Sequence, residues 1–84
     1  MKNIFEQAGW TKYADEIPGS TVGESYDKKP LHLWVSERNS IKISASLGLG
    51  LFLMTETAMP ASAEALQTLE GRMLVAKMGA EMML

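Results

Sequence analysis

The side chains able to do chemistry are few, and they do not cluster along the chain. His32 is the only histidine and cysteine is absent from all 84 residues. Disulfides, thiolate metal sites and thiol nucleophiles are therefore excluded. General-base or triad work at His32 would need an orienting acid and a nucleophile, and sequence spacing suggests neither. A metal held by His32 with Glu24, Asp27 or Glu37 has no ligand-pair spacing behind it. The ten carboxylates form no recognisable pair, and Asp15-Glu16 reads as the solvated end of a short helix. Gly19-Ser20-Thr21-Val22-Gly23 lacks the Gly-Lys-Ser/Thr that contacts phosphate and follows no strand. Gly48 and Gly50 are not followed by a third glycine opening a helix, so no dinucleotide fingerprint is present. The expectation is a protein with no catalytic residue, no cofactor and no metal.

Bulk properties narrow the classes further. The net charge is −2, and the eight basic residues are scattered apart from Lys28-Lys29. Nucleic-acid binding wants a clustered positive face that displaces counterions. Met1-Lys2-Asn3-Ile4-Phe5-Glu6 carries an acid where a secretory signal has its apolar core. The apolar run from Leu47 to Met54 is far short of the ~20 residues of a membrane helix. A soluble, cytoplasmic protein of one small domain, without a membrane, is expected.

Periodicity supplies the elements. From Ile41 to Leu53 every odd-numbered residue is apolar, and Leu31, Leu33 and Val35 keep that parity. A period of two puts alternate side chains on opposite faces of a strand. Leu31 to Ser36 and Ser40 to about Ser46 therefore read as two strands. Residues directly opposite in an antiparallel pair share a face, so a three-residue loop 37–39 must join them. That register pairs Val35 with Ile41, Leu33 with Ile43 and Leu31 with Ala45. It also sets Trp34 across from Lys42 and His32 from Ser44. Such loops end in a positive φ, which Asn39 tolerates. Beyond Leu47 the second strand either runs on, bent at Gly48 or Gly50, or turns into a third strand over Leu51 to Glu56. The turn is the preferred reading.

The flanks are less regular. Asn3-Ile4-Phe5-Glu6 fits a capping box, with Ile4, Phe5 and Ala8 facing a core and Gly9 stopping the helix. Thr11 could cap a second short turn ending at Pro18. Turn-type residues and charges fill Ile17 to Pro30, which reads as a loop. After Pro60 the spacing becomes helical, from about Ala61 to Met82.

That last helix has two apolar faces. Leu66, Leu69, Met73, Ala76, Ala80 and Met83 form a stripe suited to the sheet. Leu74, Val75, Met78 and Met82 form a second patch behind it, separated by Glu70, Lys77 and Glu81. A two-layer domain covers one side of a helix, so the second patch suggests burial by something else. Self-association or a partner is preferred over coverage by the N-terminal segment. On the sheet, His32, Trp34 and Lys42 would form a contact platform, unless the N-terminal helix covers them with Phe5 or Trp10 against Trp34. Coverage is the preferred reading there.

The domain expected is α+β: an antiparallel hairpin or three-stranded meander over residues 31–57, packed on a C-terminal helix at 60–83. A short helical segment (1–17) and a loop (18–30) precede it. The function expected is non-catalytic binding of a protein partner, as a homodimer through the Met-rich back of the last helix. The aromatic sheet face or the acidic Ile17–Pro30 loop would engage the partner. The partner-binding candidates are His32, Trp34, Lys42, Leu74, Val75, Met78 and Met82. Size and composition alone suggest a phage or mobile-element accessory protein that inhibits host machinery. The alternative is a small nucleic-acid-binding transcriptional regulator whose dimer gathers Lys28, Lys29, Arg38 and Lys42. A small enzyme or ligand carrier at His32 ranks last.

Overall fold

A computed structural model describes residues 3–12, 23–36, 38–48 and 50–83. It shows an α+β fold in which one antiparallel sheet carries two helices. The order is α1 (Ile4–Gln7), β1 (Thr11–Lys12), β2 (Gly23–Lys28), β3 (Leu31–Ser36), β4 (Ser40–Leu47), β5 (Leu51–Ala58) and α2 (Ala63–Glu81). The five strands follow one another in sequence order, β1-β2-β3-β4-β5, as a meander.

The central hairpins repeat one device. Each has a three-residue loop whose last residue takes a positive φ, 58° at Asn39 and 87° at Gly50. The amide of that residue donates back across the loop, Asn39 to Ser36 O (3.2 Å) and Gly50 to Leu47 O (2.8 Å). Leu31, Leu33 and Val35 stand opposite Ala45, Ile43 and Ile41, the register that face-matching requires. The turn at residues 48–50 starts a third strand of this set, β5, with Leu47 opposite Leu51 and Ser40 opposite Ala58.

The segment read as a loop from Ile17 to Pro30 is in part a strand. Gly23–Lys28 pairs in full register with β3, from Gly23 opposite Ser36 to Lys28 opposite Leu31. Its even positions turn inward, yet they are Glu24, Tyr26 and Lys28, so no apolar alternation advertises the strand. Long side chains of this kind bury their stems and keep polar heads engaged. Thr11–Lys12 is likewise the edge strand β1 and not a helical turn. The rest of that expected turn lies outside the described residues.

Inside the sheet's covered face, Ile41, Ile43, Ala45 and Leu66 have no exposed surface. Burying a large aliphatic side chain contributes about 1.5–3 kcal/mol before entropy is subtracted. Helix α2 starts two residues later than expected, capped by Ser62, whose hydroxyl accepts from Ala65 N–H at 3.1 Å. The buried line of α2 is Leu66, Glu70 and Met73. Leu69, Lys77 and Ala80 flank it half-buried, whereas Ala76 and Met83, expected in the stripe, are exposed.

Glu70 does not separate two faces but sits in the covered one, 5% exposed. Lys28 resolves the conflict: its Nζ lies 3.0 Å from Glu70 Oε1 and donates to Ala8 O at 2.7 Å. Helix α1 opens on Asn3, whose side chain accepts from Glu6 N–H at 2.9 Å, and stops at Gly9 with φ 95°. It packs on the same sheet face as α2, with Phe5 4.9 Å from the Tyr26 ring. The expected contact of Phe5 or Trp10 with Trp34 does not form, because Tyr26 on β2 takes Phe5 on the opposite side. Trp10 is buried in that same core.

A polar chain fastens α1 to β2. Asn3 Nδ2 donates to the Tyr26 hydroxyl (2.9 Å), which donates to Glu24 Oε2 (2.7 Å). Lys12 Nζ closes on Glu24 at 3.3 Å. The tyrosine's proton holds the Glu24 carboxyl below its ordinary range, with Lys12 assisting. Burial, reinforced by the Glu24 carboxylate, pushes the Tyr26 hydroxyl up to about 12. The folded chain thus keeps a proton that the unfolded chain releases near pH 10. That contribution is complete below pH 10 and vanishes as pH rises through about 12. Tyr26→Phe should cost about 1 kcal/mol at neutral pH. It should also flatten the alkaline fall in stability, as measured by urea unfolding from pH 8 to 12.

Candidate binding face

With both helices on one side, the other side of the sheet stands open among the described residues. Register places its side chains in transverse rows. Ser25, Trp34, Lys42 and Glu56 make one row, and Asp27, His32, Ser44 and Met54 the next. Ser46 and Phe52 make a third row nearer the β4–β5 turn. Burial falls from β2 towards β5. Asp27, His32, Trp34, Lys42 and Ser44 are half-buried, while Phe52 and Met54 are 59% and 61% exposed.

Trp34 anchors this face. Gly23 leaves room for it, since a Cβ there would stand 2.9 Å from Trp34 Cζ2 and 2.5 Å from the Val35 carbonyl oxygen. Lys42 lies over the indole with Nζ 5.7 Å from the ring centroid. A cation held against an indole keeps its charge while its stem covers apolar surface. The result is an amphipathic platform: an aromatic plate, a fixed ammonium, and beside them an uncovered phenyl ring and thioether.

An orienting acid for His32, which spacing along the chain did not suggest, is present across the sheet. Asp27 Oδ1 lies 3.0 Å from His32 Nδ1, within ion-pair distance, but this buried oxygen makes no hydrogen bond. Two residues five apart become neighbours only because β2 and β3 form a hairpin, and β2 was the strand that polarity hid. Ser44 continues the row on β4, giving acid, imidazole and hydroxyl side by side. No hydrogen bond joins Ser44 to His32, so the nucleophile–base contact of a triad is not made.

Metal chemistry has no comparable footing: no group of three potential ligands gathers among the described residues. Glu37, one ligand considered, lies outside them. A cavity of about 270 Å³ on the covered side is lined by Lys28, Pro30, Gln67, Glu70 and Leu74. Lys28 and Glu70 already satisfy each other there.

The four candidates on α2 are all uncovered, with Leu74 at 38%, Val75 at 69%, Met78 at 64% and Met82 at 88% exposure. Helix α1 touches α2 without sealing this patch. The structure therefore assigns the seven candidates to two separate surfaces: His32, Trp34 and Lys42 on the open sheet face, and Leu74, Val75, Met78 and Met82 on the outside of α2. Phe52 and Met54 belong with the first group. Their even numbering, in register with Trp34 and His32, was the available signal. Among the described residues no helix is long and apolar enough to cross a membrane.

Gly23→Ala should destabilise the fold by about 1–3 kcal/mol, because a backbone oxygen cannot yield to the new methyl. The loss is measurable by urea unfolding, and unchanged stability would contradict the packing of Trp34 on Gly23. No protein-family model matches the chain, and neither the curated proteins nor the solved structures contain a match to it.

Proposed function

We propose that this chain is a non-catalytic binding protein that engages a protein partner through its open sheet face and acts as a homodimer. The observation that carries this reading is that Trp34, Lys42, Phe52 and Met54 share the open sheet face, with Phe52 and Met54 exposed. Aromatic residues set on a rigid platform dominate protein interfaces, and methionine adapts to irregular partners. Exposed apolar side chains this close together cost solubility unless something covers them. Small size, acidity and lack of cysteine fit a cytoplasmic accessory protein of a phage or mobile element that inhibits host machinery.

Charge placement counts against the nucleic-acid reading. Lys12, Lys28 and Lys77 are paired with Glu24, Glu70 and Glu81, and Lys42 lies on Trp34. Lys28-Lys29 and Arg38 stand at opposite ends of β3, so the described residues of one chain offer no continuous basic surface.

Capture of a partner from a lysate of the encoding organism, followed by titration with the identified protein, tests the proposal. Trp34→Ala and Phe52→Ala should each weaken binding by about tenfold or more, as truncation of a hot spot does. Far-UV circular dichroism should remain unchanged. Affinity indifferent to both substitutions would overturn the assignment of the face.

A further inference from the structure

We propose that β5 is a dimerisation edge: two copies pair their β5 strands antiparallel about a two-fold axis and join two five-stranded sheets into one. This rests on the binding reading above and specifies where the second copy docks. The two edges of the sheet differ sharply. At one end the described part of β1 is Thr11–Lys12, and it carries Lys12. At the other, β5 runs eight residues, Leu51–Ala58, with Glu56 its only charge. Its pairing with β4 is continuous from Leu51 to Ala58, with no bulge. Natural edge strands are guarded by lysine, proline, bulges or brevity, and β5 has none of these.

The hydrogen-bond phase shows which groups wait for a partner. Met59 N–H donates to Asn39 O at 2.9 Å, so odd-numbered residues of β5 bond towards β4. Alternation then turns the amides and carbonyls of Phe52, Met54, Glu56 and Ala58 to the free edge. Another strand is what satisfies such a row.

The side chains argue that this strand is a second copy of the same chain. A two-fold axis normal to the sheet keeps the covered faces together and the open faces together, with both α2 helices on one side. Antiparallel pairing centred on Leu53 sets Leu53 against its equivalent and Phe52 against Met54 of the second copy. Apolar residues then meet apolar residues, and a sulfur lies beside a ring. The two Glu56 carboxylates fall at opposite ends of the seam, so like charges do not face. The exposed Phe52 and Met54 of both copies are brought together in one strip.

Light scattering on size-exclusion fractions, with far-UV circular dichroism as the fold control, tests the pairing. The wild-type chain should be a dimer at ~100 µM, in the range of ordinary homodimers. Met54→Lys replaces an exposed side chain and should raise the dissociation constant at least tenfold. Val75→Lys, on the outside of α2, should leave it unchanged. Because native cysteine is absent, single cysteines report the register. Leu53→Cys should cross-link on mild oxidation, since facing non-hydrogen-bonded residues have Cα atoms about 4.5 Å apart. Thr55→Cys should not, its equivalents being offset by about 13 Å along the strand. A monomer at every concentration, dimerisation abolished by Val75→Lys but not Met54→Lys, or cross-linking through Thr55→Cys overturns the inference. Retained capture of the partner by a monomer would sink the edge alone; a dimer whose Trp34→Ala form binds as before would sink the function alone.

Discussion

The Lys28 ammonium sits where three elements meet. It bonds the last carbonyl of the α1 turn, at Ala8, and the Glu70 carboxylate of α2, while its own backbone belongs to β2. A carboxylate as buried as Glu70 is tolerable only with a partner at hydrogen-bond distance, and removing that partner leaves an uncompensated charge. The tether therefore dictates placement: α1, β2 and α2 must share one side of the sheet. Phe5 on Tyr26, and Asn3 on the Tyr26 hydroxyl, hold α1 to that side from its other end.

An open surface follows from this arrangement. A sheet of five strands has two faces, and the described residues supply helices for one. The uncovered face is not uniformly polar, as an unpartnered sheet face ordinarily is. It is polar and half-buried near β2 and apolar and exposed at β5, where the sheet also ends in unsatisfied main-chain groups. Exposed side chains and a free edge occur on the same strand. Helix α2 adds a third apolar surface, since only Leu66, Glu70 and Met73 of its circumference are fully taken up by the sheet.

Much of this was legible in residue order. The hairpin of β3 and β4, its register, and Asn39 at positive φ follow from parity, because a single-residue slip would turn every apolar side chain outward. The exposure of Leu74, Val75, Met78 and Met82 follows from the width of one helix against a small sheet. What escaped were elements whose inward residues are polar. Tyr26 and Lys28 bury their stems and satisfy their heads with Asn3 and Glu24 and with Glu70, 42 residues from Lys28, and nothing local signals that. With β2 hidden, the side taken by α1 and the Asp27–His32 contact were hidden too. The same long-range pairing explains why Glu70 read as a surface divider and proved to be core.

The central claim is that the face carrying Trp34 is open while the face carrying Trp10 is closed. The chain has two tryptophans, so each can be observed alone after the other is replaced by phenylalanine. Acrylamide quenching of dilute Trp10→Phe and Trp34→Phe proteins compares them directly. Steep quenching where only Trp34 remains, with strong protection where only Trp10 remains, is the result this architecture predicts. Protection of Trp34 beyond that of Trp10 would place the helices on the wrong side and contradict the account.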